Sequence, residues 1–282
     1  MKKIIVILGV AGTSLSAIFA RVSDAPATVL VFYRMLFSVL LLMPAVLSGA
    51  AKEWRSLSGK QLFLCILSGI FLGMHFTCYF ESLNHTSISS SVVLVDTEVF
   101  FVALGGRLFL KEKLSKVGWL CVFITFLGSV IVAMGDMTGG GLFGDLLALL
   151  GAGCSCVYTL IGRKMRSAVS TTAYTCIVYF FAGIVVLTGS LGMGNTVFPI
   201  SMKNLLCGLG LAVFCTLLGH SIFSWGLKYE KASFVSTVKL LEPVFASVLG
   251  MLVFREIPTL SSALGGLMIV AGIIVLCRQK EA

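Results

Sequence analysis

The sequence predicts an all-α membrane protein: ten transmembrane helices in two inverted five-helix repeats. Three observations carry that reading. The 282 residues are 58% hydrophobic and only 12% charged. Ten apolar runs, each of 17 residues or more, succeed one another with short connections. The second half of the chain repeats the pattern of the first half at an offset near 144 residues.

The composition excludes a soluble domain, which carries about 45–50% apolar and about 25% charged residues. A mean hydropathy of +1.05 leaves too little polar surface to cover a water-soluble core. The net charge of +9 raises the question of nucleic acid. In a chain this apolar the excess of Lys and Arg is better read as topology, so no nucleic-acid partner is expected and the bilayer is. The nine cysteines lie in or at the ends of apolar stretches without CxxC spacing, and are read as small buried hydrophobes.

The apolar runs cover residues 4–20, 28–47, 61–83, 87–110, 117–134, 142–162, 172–191, 205–227, 232–254 and 260–277. At about 1.5 Å per residue each is long enough for a hydrocarbon core of about 30 Å. Lys2-Lys3 before the first run resembles a signal peptide. No small-x-small cleavage site follows, since Ile18 lies two before Ala20, and the run has a counterpart later in the chain, so it is expected to be retained.

Ten spans put both termini on one side. That side holds fifteen basic residues: Lys2, Lys3, Lys52, Arg55, Lys60, Lys111, Lys113, Lys116, Arg163, Lys164, Arg166, Lys228, Lys231, Arg278 and Lys280. The other side holds three, Arg21, Lys203 and Arg255. Basic residues accumulate in cytoplasmic loops, so both termini are expected in the cytoplasm and the protein in the cytoplasmic (inner) membrane.

The repeat is visible residue by residue. An offset of 144 places Glu98 on Glu242, Phe101 on Phe245, Gly106 on Gly250, Glu112 on Glu256 and Gly128 on Gly272. An offset of 142 places Arg21 on Arg163, and His75 and His220 differ by 145. The units are expected at 1–135 and 142–282, joined by a linker at 136–141. Five spans per unit is odd, so each helix of the second unit must run opposite to its mate. Such inverted repeats are related by an axis in the membrane plane, and secondary transporters built this way bind solute near the midplane.

The whole chain resembles the drug/metabolite transporter superfamily, EamA type. The marks are the 5+5 inverted repeat, Arg34 within Phe32-Tyr33-Arg34-Met35-Leu36-Phe37, and two repeat-ending stretches. These run from Glu98-Val99-Phe100-Phe101 to Lys111-Glu112, and from Glu242-Pro243-Val244-Phe245 to Arg255-Glu256. Val99 stands where the family pattern has proline, which removes one reason for a kink in the fourth span. The resemblance implies a carrier for small organic solutes such as amino acids, amines or similar amphipathic metabolites.

A charge at the centre of a bilayer helix costs roughly 2.5–3.5 kcal/mol, so intramembrane charges are usually functional or paired. Arg34, Glu81, Asp96, Glu98, Arg107, Lys239 and Glu242 fall within spans, with His75 and His220. Arg107 and Glu81 are near span ends and are read as solvated. Lys239 and Glu242, at i and i+3, are expected on one helical face, as a packing salt bridge or as the wall of a polar cavity. Asp96 and Glu98 are about 200° apart on a helix and cannot share a face. Arg34 is expected to counter Glu98 or Asp96, or to hold a solute carboxylate with its fork of donors. His75 and His220 are read as hydrogen-bonded core histidines or as a proton relay. Phe76, Tyr79, Phe80, Phe223 and Trp225 form either packing and an interfacial belt or a stacking surface for an apolar solute.

The candidate residues for solute or proton binding are therefore Glu242, Glu98, Lys239, Arg34, His75, His220, Asp96, Tyr79 and Trp225. A carboxylate poised between burial and a neighbouring cation can take up a proton in one state and release it in another, so protons are the candidate coupling ion. No HExxH, GxSxG or phosphate loop occurs, so an enzyme is not expected, and neither are cofactors, metals or catalytic residues. A channel-like or structural membrane protein, and less so an intramembrane enzyme, are the alternatives to a carrier. The sequence leaves the oligomeric state open.

Overall fold

Ten helical stretches follow the ten apolar runs in the computed structural model, which describes residues 1–134, 141–255 and 259–279. We number them α1 to α10. Helix α1 is built from Lys2–Ser14 and Ser16–Val22, α2 is Ala27–Ser56, and α3 is Gly59–Ser82. Helix α4 consists of Ile88–Asp96 and Glu98–Phe109, and α5 is Lys116–Ala133. Then come α6 (Leu142–Met165), α7 (Thr171–Gly192) and α8 (Met202–Gly226). Helix α9 is Ala232–Lys239 followed by Glu242–Phe254, and α10 is Leu260–Arg278. Most of the linker, together with Glu256 and Lys280, lies outside the described residues.

Nine of these stretches are long and apolar enough by themselves to cross a membrane. Helix α4 crosses too, because it keeps level with α6 from end to end. Thr86, just before α4, donates to Asp145 in the first turn of α6 at 2.8 Å. Glu112, just after α4, accepts from Arg163 in the last turn of α6 at 2.6 Å. The same kind of contact sorts the other helix ends. Lys3 on α1 donates to the Cys277 carbonyl on α10 at 3.1 Å, and Ser115 before α5 donates to Gln279 at 2.7 Å. On the opposite face, Lys203 at the start of α8 pairs with Asp24 before α2 at 2.5 Å. Ten alternating crossings satisfy all of these contacts, and they gather the basic loops on one face, called the basic face below.

Packing repeats between the halves. Helix α5 lies on α10 and α2 on α7, while α3 on α6 is matched by α8 on α1, and α4 on α6 by α9 on α1. In each pair of mates, α1 with α6 and so on, one helix runs opposite to the other. The two basic residues that end α4 and α9, Lys111 and Arg255, both adopt φ of 57°, and they are 144 apart. A side chain in the left-handed region is uncommon, so the same backbone device closes both repeat-ending helices.

Small residues let the helices approach. Gly69 and Gly73 on α3 face α7, where a Cβ would fall 2.6 Å from the Val178 carbonyl and 2.8 Å from that of Ala182. Apolar helices gain little from burying apolar surface in lipid, so close backbone contact of this kind carries much of the association.

Two boundaries differ from the sequence reading. Helix α2 does not stop at residue 47 but continues through wide π-type turns, Val46–Ala50, to Ser56. Its end is tied to α7: Trp54 donates to the Ala173 carbonyl at 3.0 Å, and Glu53 accepts from the Ser170 amide at 2.8 Å. The fourth span is broken at Thr97 although Val99 replaces the proline. The reason is chemical. Asp96 and Glu98 are drawn to different helices, Asp96 to Ser129 of α5 and Glu98 to α6 and α9. Thr97 takes up the slack by donating to the Leu94 carbonyl at 2.5 Å.

Candidate functional site

Three helices are interrupted at mid-depth: α1 at Leu15, α4 at Thr97, and α9 at Leu240-Leu241. Thr97 and Leu241 are 144 apart, so the breaks in α4 and α9 are equivalent. Pro243 contributes to the second, since it has no N–H for the Lys239 carbonyl four residues back. Broken helices are tolerated at this depth where the freed backbone groups meet protein partners. Ser14 of α1 also ties into this break, donating to the Glu242 carbonyl at 3.2 Å.

At these breaks the charged residues converge. Lys239 Nζ lies 3.0 Å from Glu98 Oε1 and 3.4 Å from Oε2, bridging α9 and α4. Thr159 of α6 donates to the same Glu98 oxygen at 3.0 Å. The side chains are 19% and 8% exposed, so the pair is largely withdrawn from the surroundings. The expected one-face pairing of Lys239 with Glu242 does not form. The break at Leu240-Leu241 puts them on separate helical pieces, and the i, i+3 relation holds only along a continuous helix. Thr13 and Ser16 of α1 lie near the Glu242 carboxylate, which among the described residues has no ion pair within 4 Å.

Arg34 reaches neither Glu98 nor Asp96, the partners expected for it. It is 5% exposed, its Nε donates to Thr216 of α8 at 2.7 Å, and its guanidinium lies 5.1 Å from the centre of the Phe76 ring. Asp96 accepts from Ser129 of α5, while Glu98 reaches α6 and α9. His75 donates from Nδ1 to the Gly151 carbonyl of α6 at 3.0 Å and stacks on Tyr79 at 6.4 Å. This is the hydrogen-bonded core arrangement of its two readings. His220 packs edge-on against Phe76 at 5.7 Å and Phe223 at 5.9 Å. Trp225 is not part of this group. It sits in the last turn of α8 against Tyr229, whose ring also receives Lys2 at 4.1 Å, at the basic face. Glu81 is at the end of α3, bound to Asn84 and His85 at 3.0 Å each.

Sequence reasoning missed the hydroxyls that hold these charges: Thr159 for Glu98, Ser129 for Asp96 and Thr216 for Arg34. Ser and Thr bond back to their own helix at little cost in a span, so they carry no warning of a role. It also passed over Tyr158 and Tyr179, buried beside the site and bonded to Ser224 at 3.3 Å and Ser221 at 3.0 Å.

A buried bridge between mated helices, with a second cation and a second carboxylate nearby, is the arrangement expected where two halves move around a solute. Comparison with known proteins agrees at the level of family. The profile of the EamA-like transporter family matches residues 2–134 and again residues 142–278. The chain belongs to the EamA-like transporter family. It is 23% identical to the pseudopaline exporter CntI of Pseudomonas aeruginosa, covering 100% of this chain and 98% of that one. It is 28% identical to an uncharacterized transporter of Archaeoglobus fulgidus, over 89% of this chain and 88% of the other. A solved crystal structure shares the fold with a TM-score of 0.81 at 16% identity, covering 98% of this chain and 96% of that one. This EamA-like protein is therefore an all-α, multi-span membrane protein of the drug/metabolite transporter superfamily, concerned with moving a small solute.

Proposed function

We propose that the protein is a secondary carrier for a small amphipathic organic solute, an amino acid, an amine or a similar metabolite, working by alternating access. The observation that carries this reading is the Glu98–Lys239 bridge at 3.0 Å between the equivalent broken helices of the two halves. A contact between mates at mid-depth is where a rocking motion is felt from both sides. In this reading 1–135 and 142–282 are the repeat units that rock, and 136–141 links them.

The membrane is the cytoplasmic one and both termini are cytoplasmic, supported by fifteen basic residues against three on the two sides. Glu242, and after it Glu98, couples transport to protons or to a cationic solute. Glu242 is the better suited, because it has no contacting cation among the described residues.

Proteoliposomes holding the purified protein test this. Radiolabelled leucine, phenylalanine and putrescine are offered with and without an imposed pH gradient. Accumulation above protein-free vesicles, steeper with the gradient, is expected for at least one. Equal uptake by protein-free vesicles in every case overturns the carrier reading; uptake that ignores the gradient overturns proton coupling.

A further inference from the structure

Two nitrogens at the centre of the molecule have no hydrogen-bond partner among the described residues although both are shut off from the surroundings: Arg34 Nη2 and His220 Nδ1. They belong to different halves, Arg34 to α2 and His220 to α8, and both residues pack on one ring, Phe76, at 5.1 and 5.7 Å. We propose that Arg34 and His220 form the anion-binding end of the solute site and take the carboxylate of a small organic acid or zwitterion between the two halves.

Buried polar groups in folded proteins are almost always hydrogen-bonded, and a buried charge without a partner is costlier still. Arg34 is 5% exposed, and the nearest help it receives is neutral: Thr216 at Nε and the face of Phe76. No carboxylate of a described residue lies within 4 Å of it. The neighbouring hydroxyls are already engaged, Tyr179 with Ser221 and Tyr158 with Ser224 on either side of the same turn of α8. The unspent donors are thus those of Arg34 and, in its Nδ1-protonated form, His220. A guanidinium fork suits a carboxylate, accepting it through parallel N–H bonds.

Charge balance narrows the class. The mid-depth groups comprise the cations Arg34 and Lys239 and the carboxylates Asp96, Glu98 and Glu242, and Lys239 is already spent on Glu98. These groups sum to one negative charge, so a multiply charged anion is disfavoured and a monocarboxylate that brings its own ammonium for Glu242 fits. Phe76 and Phe223 offer apolar surface for the remainder of such a solute.

The inference rests on the carrier reading but is tested apart from it. Full-length protein in nanodiscs is titrated at constant ionic strength with matched pairs: leucine and leucinamide, phenylalanine and phenylalaninamide, benzoate and benzamide. The unfolding midpoint is read by intrinsic fluorescence. A ligand of the folded form raises it. At least one carboxylate is expected to act at concentrations about tenfold or more below its amide. Arg34→Lys keeps the charge and removes the fork, so it should weaken that carboxylate about tenfold while leaving the amide response unchanged. His220→Gln should weaken it less, and Arg34→Gln should abolish it. Size-exclusion profiles and circular dichroism establish that the variants are folded; if Arg34→Gln fails this, the Lys and His220 variants decide. The proposal is overturned if no carboxylate outperforms its amide, or if Arg34→Lys and His220→Gln bind it as the parent does. Carboxylates that bind through Arg34 but never accumulate in vesicles would sink the carrier reading and leave the anion site standing. A solute carried with no dependence on these variants would do the reverse.

Discussion

Glu98 and Glu242 occupy equivalent places in the two halves, 144 residues apart and each opening the second piece of a broken helix. Their surroundings differ. Glu98 is 6% exposed, touches Lys239 at 3.0 Å and accepts from Thr159. Glu242 is partly buried and has no ion pair among the described residues. One contributor to the asymmetry is Lys239 in α9, which has Val95 as its mate in α4. This lysine neutralises the carboxylate of the opposite half. It leaves the carboxylate of its own half without a contacting charge. The two acids at mid-depth therefore sit differently: one bridges the halves through Lys239, and in the proposed reading the other is the one that binds and releases a proton.

The largest effect expected from this contrast is on stability. Glu98→Gln leaves Lys239 buried beside a neutral amide. Removing one partner of a buried pair costs about 3–5 kcal/mol, because the remaining charge is uncompensated. In detergent the unfolding midpoint should fall by on the order of 10 °C. Glu242→Gln should move it by less than about 3 °C, since it leaves no contacting cation unpaired. Combining Glu98→Gln with Lys239→Gln should recover much of the loss, because neither charge then remains. Equal midpoints for the two single variants would erase the proposed distinction.

The next effect is on transport and runs the other way. Glu242→Gln keeps the shape and removes the titrating group. The protein should insert and fold and still exchange solute between equal pools, with weaker binding of an ammonium-bearing solute, yet lose accumulation driven by a pH gradient. Proteoliposome exchange measured beside gradient-driven uptake separates these. Gradient-driven uptake at the parental rate would make Glu242 a packing residue and move coupling elsewhere, with Asp96 at Ser129 the next carboxylate to test.

How much of this was legible beforehand depends on which physical effect sets each feature. The helices were legible because the cost of exposing backbone to lipid forces each apolar run into a helix. The charges were legible because lipid makes them costly, and Arg34, Glu98, Asp96, Lys239 and Glu242 do meet at mid-depth. Their partners were not. Lys239 to Glu98 spans 141 residues and depends on how α9 leans on α4, which no local pattern encodes. The break at Leu240-Leu241 cancelled the one pairing that spacing suggested. Trp225 misled because aromatic residues serve both interfaces and binding sites, and its depth in α8 puts it at the basic face. The tail of α2 was hidden because Ser48, Gly49 and Lys52 end the apolar run while the backbone continues along the surface to meet α7.

The smallest effect expected is at Glu81, the carboxylate that the same reasoning sets aside. It lies in the last turn of α3, and its side chain is 26% exposed and bonded to Asn84 and His85, three and four residues on. An exposed pair of this kind is worth about 0–1 kcal/mol, because water solvates the separated groups almost as well. Glu81→Gln should therefore shift the unfolding midpoint by less than about 2 °C. It should leave both exchange and gradient-driven uptake at the parental rate. The variant carries the same chemical change as Glu242→Gln, about 10 Å nearer the end of its helix by residue rise. If Glu81→Gln also lost gradient-driven uptake, depth would no longer separate functional carboxylates from solvated ones. The contrast between Glu98 and Glu242 would then have to be rebuilt around a proton path that reaches the end of α3.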